Sequence, residues 1–210
     1  LLTDEERQQI DRHLKQYSYT TWRYTNMFFH SSVRSTEFFR VKYSHVNLKE
    51  QYFFTLVYKR AEGPTWVKRV IKDIALPFWT ELMEECEALK ATTGNEESDP
   101  YIFSRDLRPG VSKIDEETIS RRWKRWVKAE PNGYNNGLGI KKGFYKIKSL
   151  ANTEQMDILS EIMGIKAAEK LVANHNAHTT PVMLQRVYDK KYHFRKEAEI
   201  KSIMNSFARV

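Results

Sequence analysis

Read for side chains that can handle phosphate, the 210-residue chain offers five positions in order. Arg34 stands in Ser-Val-Arg-Ser-Thr-Glu, three residues before Glu37, and Lys59 follows 25 residues after Arg34. Lys148 lies in Phe144-Tyr-Lys-Ile-Lys-Ser-Leu, His178 in Ala-His-Thr-Thr-Pro, and Tyr188 comes ten residues after His178 in Arg-Val-Tyr-Asp. Arginine and lysine neutralise phosphate oxygens, while histidine and tyrosine hydrogen-bond them or move a proton, all without a metal.

Motifs for other phosphate, metal or acyl chemistry do not occur. Neither GxxxxGK[ST] nor GxGxxG occurs, so there is no glycine-rich phosphate loop. One cysteine, Cys86, cannot build a Cys/His zinc site. His175 and His178 are three apart, but no carboxylate stands by as a third ligand, and neither a metal nor another cofactor is expected. No serine sits in a GxSxG setting. Each of the five positions also has a plain structural reading, Lys148 as one of several lysines near the Asn/Gly loop. Arg34 and Glu37 fit an i,i+3 surface pair, and Lys59 fits an edge-strand lysine with Lys68 and Lys72 as rivals. His178 fits a helix cap at Thr179 or Thr180, and Tyr188 is one of eleven tyrosines.

The elements that must hold these residues are mostly helical. Thr3-Asp-Glu-Glu6 has capping-box spacing and predicts a helix to about Lys15. Tyr19–His30, with Trp22, Tyr24, Met27, Phe28 and Phe29, predicts a largely buried helix, then a polar turn and a short helix around Glu37. Tyr52–Lys59 and Thr65–Ile71 flank Ala61-Glu-Gly-Pro64 and predict a β-hairpin. Pro77 opens a helix to about Ala91, and Thr92–Pro100 is a polar loop. Across Thr118–Ala129, Ile119, Trp123, Trp126 and Val127 form one apolar stripe, with Arg121, Arg122, Lys124, Arg125 and Lys128 opposite. Pro131–Gly143 is an Asn/Gly loop. Helix resumes from Tyr145, breaks at Gly164 and around Asn174–Thr180, and ends with Tyr192–Phe207. The expected class is mainly α with a small antiparallel β-sheet, an α+β fold.

With 40% apolar and 13% aromatic residues the chain can bury a core, which excludes a disordered one. It has no run of 18 apolar residues and a polar, acidic start, so neither a membrane span nor a signal peptide is expected; with a single cysteine, a cytoplasmic setting is. Thirty-five Lys and Arg against 27 Asp and Glu give a net charge of +8, which suits a polyanion such as double-stranded DNA. The charge is uneven: Thr80–Asp99 is acidic and Arg121–Lys148 strongly basic.

The order of these parts resembles the catalytic domain of tyrosine recombinases, the phage-integrase family of site-specific recombinases. Leu2-Thr-Asp-Glu-Glu6 is similar to the family's opening LT-x-E-E, and Ser32-Val-Arg-Ser-Thr-Glu37 to its (G/S)-x-R-x-x-E box. Lys59 takes the place of the hairpin lysine, with Leu76-Pro77 after it. Tyr145-Lys-Ile-Lys148 stands at the H-x-x-R box, Ala177-His178-Thr179 at the (G)-H-(S/T) box, and Val187-Tyr188 at the nucleophile box. The departures are Lys148 for arginine and Tyr145 for histidine, a Y-x-x-K reading found in mobile-element branches. The long stretch from Lys148 to His178 makes His175 a rival for the histidine role.

The resemblance implies a DNA integrase or recombinase, DNA-bound at the nucleoid and metal-independent. Tyr188 would attack a phosphodiester, leaving a 3′-phosphotyrosyl bond and a free 5′-hydroxyl. Arg34 and Lys148 would stabilise the transition-state oxygens, His178 and Tyr145 would hydrogen-bond them, and Lys59 would protonate the leaving oxygen. Arg121, Arg122, Arg125 and Lys128 become candidate DNA contacts. Residues 1–210 would be one catalytic domain, with the active site in 1–188 and a helical tail in 189–210. That tail would be passed to a neighbouring subunit in a tetrameric synapse, and a DNA-clamping domain would precede the chain. Two further readings are a recombinase-fold DNA binder without cleavage and a type IB topoisomerase-like strand transferase.

Overall fold

The computed structural model describes residues 1–31, 33–59, 63–95, 97–132, 136–176, 185 and 191–207, with backbone alone at 59 and 203–207. Its helices are α1 (Asp4–Tyr17), α2 (Tyr19–Ser31), α3 (Ser35–Phe38), α4 (Leu76–Thr93), α5 (Thr118–Trp123), α6 (Lys146–Met163), α7 (Ile165–His175) and α8 (Tyr192–Phe207). The strands are β1 (Val46–Asn47), β2 (Tyr52–Lys59) and β3 (Gly63–Val70), antiparallel in the order β1-β2-β3. The mainly helical α+β class is therefore observed. The short β1, which pairs Val46 with Phe53, adds a third strand to the predicted hairpin. Two residues are too few to show a period of two in the sequence.

Helix starts follow their capping chemistry. The Thr3 hydroxyl accepts the Glu6 N–H at 3.2 Å, and the Glu6 carboxylate accepts the Thr3 N–H at 2.8 Å. Pro77 sits in the first turn of α4, where a missing N–H leaves no bond unmade. The α6–α7 break falls at Gly164, whose φ of +79° a side chain would oppose.

The chain divides into two compact units between Ile147 and Lys148. In the first, α2, α3, β2, α4 and the 101–103 segment meet around an aromatic core. Phe53 and Trp79 lie 4.4 Å apart between ring centroids, and Tyr24 and Phe38 each meet Phe103 edge-on at 4.9 Å. A buried guanidinium ties α2 to α4. Arg23 donates two hydrogen bonds to Glu85, at 2.8 and 3.1 Å, and pairs with Glu81 at 2.8 Å. The acidic 80–99 stretch is thereby partly explained: Glu81 and Glu85 neutralise Arg23, Glu87 accepts from Tyr43, and Asp99 accepts from Ser44.

After Trp123 the basic helix widens into a π-helical turn, Lys124–Lys128, where the Ala129 N–H reaches the Lys124 carbonyl at 2.8 Å. Ile119, Trp123 and Val127 stay buried. The widened turn changes the predicted stripe: Trp126 is only half-buried, near His13 and under Arg125. The following loop docks on this helix end, with Gly139 N–H on the Ala129 carbonyl and Ile140 N–H on that of Val127. A Cβ at Gly137 would collide with the Ala129 carbonyl, so only glycine fits there.

In the second unit, α6 and α7 pack through Met156, Ala168 and Val172, with Leu159 alongside. The Asn176 side-chain amide donates to Oδ1 of Asn152 at 3.0 Å. The link from α8 to α6 is ionic: Lys191 and Arg195 both reach Asp157 at 2.8 Å, and Arg195 also donates to the Thr153 carbonyl. Burial pushes the Asp157 carboxyl up, but the hydrogen bonds from Lys191 and Arg195 outweigh it and hold it below its ordinary value.

Candidate active site

Arg34 is the N-cap of α3, in extended conformation, so its side chain leaves the helix at the first turn. Glu37, one turn on, folds back and accepts the Arg34 backbone N–H through Oε2 at 3.2 Å. Its Oε1 accepts from the Arg34 guanidinium at 3.2 Å. Glu37 is 7% exposed and Arg34 is 41% exposed, so the carboxylate is an interior brace and the guanidinium still faces outward. This is more than a surface i,i+3 pair.

A second arginine stands behind the brace. Arg69 on β3 is 1% exposed, and its terminal nitrogen lies 3.6 Å from Glu37 Oε2. Its Nε donates to the Thr55 hydroxyl at 3.3 Å across the hairpin. Burial lowers the Arg69 pKa and Glu37 partly restores it; a guanidinium stays charged throughout. No motif in the sequence singles out Arg69. The one signal is its phase, since Arg69 pairs in register with the buried Phe53 and so carries a charge on the core face of a strand.

Tyr145 closes the group. Its hydroxyl accepts the Ser35 backbone N–H at 3.4 Å, next to Arg34, and its ring meets Phe28 edge-on at 5.9 Å. A phenol that accepts one hydrogen bond still has its own proton to donate. The approach of Tyr145 is prepared by Trp123, which donates to the Lys142 carbonyl at 2.8 Å and packs on Phe144 at 5.3 Å. Beneath, burial holds the Tyr24 phenol well above its ordinary value.

Arg34, Glu37 and Tyr145 are thus brought together within the first unit. Lys59 pairs through its backbone with Gly63 at the end of the hairpin, and its side chain lies outside what the structure describes. Of its rivals, Lys68 covers the Tyr52 ring at 3.9 Å, whereas Lys72 is half-buried and burial lowers its pKa. Lys148, in the second unit, sits in the first turn of α6 and is 1% exposed. His175 ends α7, half-buried. His178 and Tyr188 lie outside the described residues. Among the described residues no cluster of three metal-ligating side chains occurs, and no helix is long and apolar enough to cross a membrane.

The candidate DNA-contact residues differ in their freedom. Arg121 is held by Asp115 at 2.7 Å and Glu117 at 3.3 Å, and Arg122 by Asp106 at 2.6 Å with a further bond to Thr21. Arg125 is exposed over Trp126, and Lys128 is half-buried.

Mainly helical with one small three-stranded antiparallel sheet, the chain has the catalytic-domain fold of tyrosine recombinases and integrases. It is similar to the crystal structure of XerA recombinase, with TM-score 0.62 and 14% identity over 96% of this chain and 64% of that one. A lambda integrase dimer bound to a COC′ core site matches with TM-score 0.53 and 15% identity, over 90% of this chain and 59% of that one. The Tn1549 transposon integrase in complex with a circular intermediate DNA matches with TM-score 0.57 and 8% identity, over 96% and 65%. The chain therefore spans less than two thirds of the length of each. No family model and no curated protein sequence matches it.

Proposed function

We propose that this chain is the catalytic domain of a site-specific DNA recombinase, an integrase of a mobile element, that cleaves and rejoins DNA through a 3′-phosphotyrosyl intermediate. The observation that carries the reading is Arg34: an outward-facing guanidinium, braced by the buried Glu37, with the Tyr145 hydroxyl on the N–H of the next residue, Ser35, in the fold of recombinase catalytic domains. In this reading the Tyr188 phenolate attacks phosphorus and the P–O5′ bond breaks. The departing 5′-oxygen takes a proton from Lys59, and rejoining runs the same steps backwards. Arg34 and Lys148 neutralise the charge on the non-bridging oxygens, and Tyr145 and His178 hydrogen-bond them. Of the basic-helix candidates Arg121, Arg122, Arg125 and Lys128, Arg125 and Lys128 contact the DNA backbone or groove, whereas Arg121 and Arg122 are held by carboxylates of the chain itself.

The whole chain serves as one catalytic domain, and its tail, 189–210, joins copies into a tetrameric synapse at the nucleoid. Support for the tail's role comes from α8. Its half-buried side carries Tyr192, Arg195, Lys196 and Glu199, while Phe194 is 72% exposed and Ile200 also faces out. An apolar surface of that kind suits a second copy of the chain.

A second reading, DNA binding without cleavage, is favoured by the burial of Lys148, a lysine at the family's arginine position. Covalent trapping separates the two. The protein is incubated with nicked duplex carrying the element-end site, beside a Tyr188→Phe control. A denaturant-resistant adduct that the control lacks is the expected result. Salt-dependent binding with no adduct would favour the second reading, and no binding would remove both.

A further inference from the structure

We propose that Arg69 is a positioning residue for Arg34, acting through Glu37 by charge: it occupies the carboxylate from the interior so that the outward guanidinium keeps a net positive charge for a phosphodiester. The inference rests on the recombinase reading for the identity of that anion, but not for the coupling itself.

Alone, Arg34 and Glu37 make a neutral pair, and a carboxylate that accepts both the backbone N–H and a guanidinium N–H of one arginine cancels the charge a phosphate would meet. Arg69 changes the sum. Glu37 Oε2 has the Arg69 guanidinium at 3.6 Å, and the three groups together carry one net positive charge. Arg69 and Glu37 are both buried, whereas Arg34 opens to solvent, so the surplus charge can be met only on the Arg34 side. Thr55 holds Arg69 in place through its Nε, which keeps the interior guanidinium on the hairpin. A single carboxylate thereby orients one arginine while a second arginine offsets its charge.

The experiment uses the full chain and four variants, Arg69→Met, Arg69→Lys, Glu37→Gln and the double variant Arg69→Met with Glu37→Gln. Circular dichroism first confirms that each is folded. The first readout is the nitrogen-15 spectrum of the Arg34 guanidinium, which needs no DNA, followed during titration with inorganic phosphate. The second is the rate of covalent adduct formation on nicked duplex.

Arg69→Met is expected to weaken phosphate-induced shifts at Arg34 and slow adduct formation, each by at least about tenfold, with Arg69→Lys nearer wild type. The double variant removes a second contact, yet restores the net charge at Arg34. It is expected to recover phosphate response to within about threefold of wild type. A merely structural role predicts the opposite, a double variant at least as impaired as Arg69→Met, and that result overturns the proposal, as does an Arg34 spectrum that Arg69→Met leaves unchanged with and without phosphate. If the wild type forms no adduct while the Arg34 spectrum still depends on Arg69 and is restored in the double variant, the recombinase reading fails and the coupling stands.

Discussion

The Tyr145 hydroxyl accepts the backbone N–H of Ser35 across 110 residues of sequence, at 3.4 Å. That one bond joins the turn before α6 to the first turn of α3, where Arg34 is the cap, and it satisfies an N–H that a helix start leaves without an internal partner. It also fixes the phenol at the first turn of α3, on the residue that follows Arg34.

Tyr145→Phe removes the acceptor and the donor while keeping the ring against Phe28 and Phe144. It is expected to cost about 1 kcal/mol of stability, seen as a small drop in Tm. Adduct formation should fall more, by roughly ten- to a hundredfold, because a donor to the transition state is lost. Tyr145→His should keep most activity. Equal activity in Tyr145→Phe and wild type would remove Tyr145 from the site.

The basic helix should divide into residues that hold the fold and residues that meet DNA. Arg122, 21% exposed and held by Asp106 and Thr21, is expected to act mainly on stability when replaced by alanine, through an ion pair worth up to about 1 kcal/mol. Arg125, exposed over Trp126, is expected to act on binding. Its alanine variant should reduce the slope of log affinity against log salt by about one. Binding isotherms at several salt concentrations, set beside melting curves, check both. The reverse pattern would assign Arg122 to the interface.

The attachment of α8 should depend on Asp157. Asp157→Asn removes the charge that Lys191 and Arg195 share, while Phe194 and Ile200, the large apolar side chains exposed among the described residues of α8, do not supply a buried substitute. Amide exchange across Tyr192–Glu199 is expected to rise by about tenfold, with α6 and α7 unchanged. Unchanged exchange in α8 would mean that other contacts hold it.

Stability should fall on acidification through half-buried histidines, His30 above all. Burial, aided by Lys72 and Arg7, lowers the His30 pKa from 6.5 to about 4. Between those values the unfolded chain binds a proton that the folded chain refuses, so stability is full above 6.5 and declines as pH falls toward 4. A His30→Gln variant is expected to show a flatter Tm over that window, with no difference in slope above about pH 7. Parallel slopes between pH 4 and 6.5 would show that His30 is not responsible.

Much of the fold is legible because it rests on local signals. The capping box at Thr3, Pro77 in the first turn of α4, the break at Gly164 and the alternation in β2 each need only a few neighbouring residues. The two-residue β1 and the widened turn after Trp123 are not legible, since a bridge and a π-helical turn depend on what lies opposite. The candidate site divides in the same way. Arg34 with Glu37 and the Tyr145–Lys148 spacing are local patterns, visible along the chain. Arg69 carries no such pattern.

By itself, then, the sequence determined the helical class, the small antiparallel sheet, the basic balance and the order of Arg34, Lys59, Lys148, His178 and Tyr188. Only the tertiary structure decided that Arg69 stands behind Glu37, that Tyr145 reaches Ser35, and that Arg121 and Arg122 are held by carboxylates while Arg125 is exposed over Trp126. The reason is physical. Capping, turn and alternation preferences act within a few residues, whereas the charge a phosphate would meet at Arg34 depends on groups that only folding brings within about 4 Å of one another.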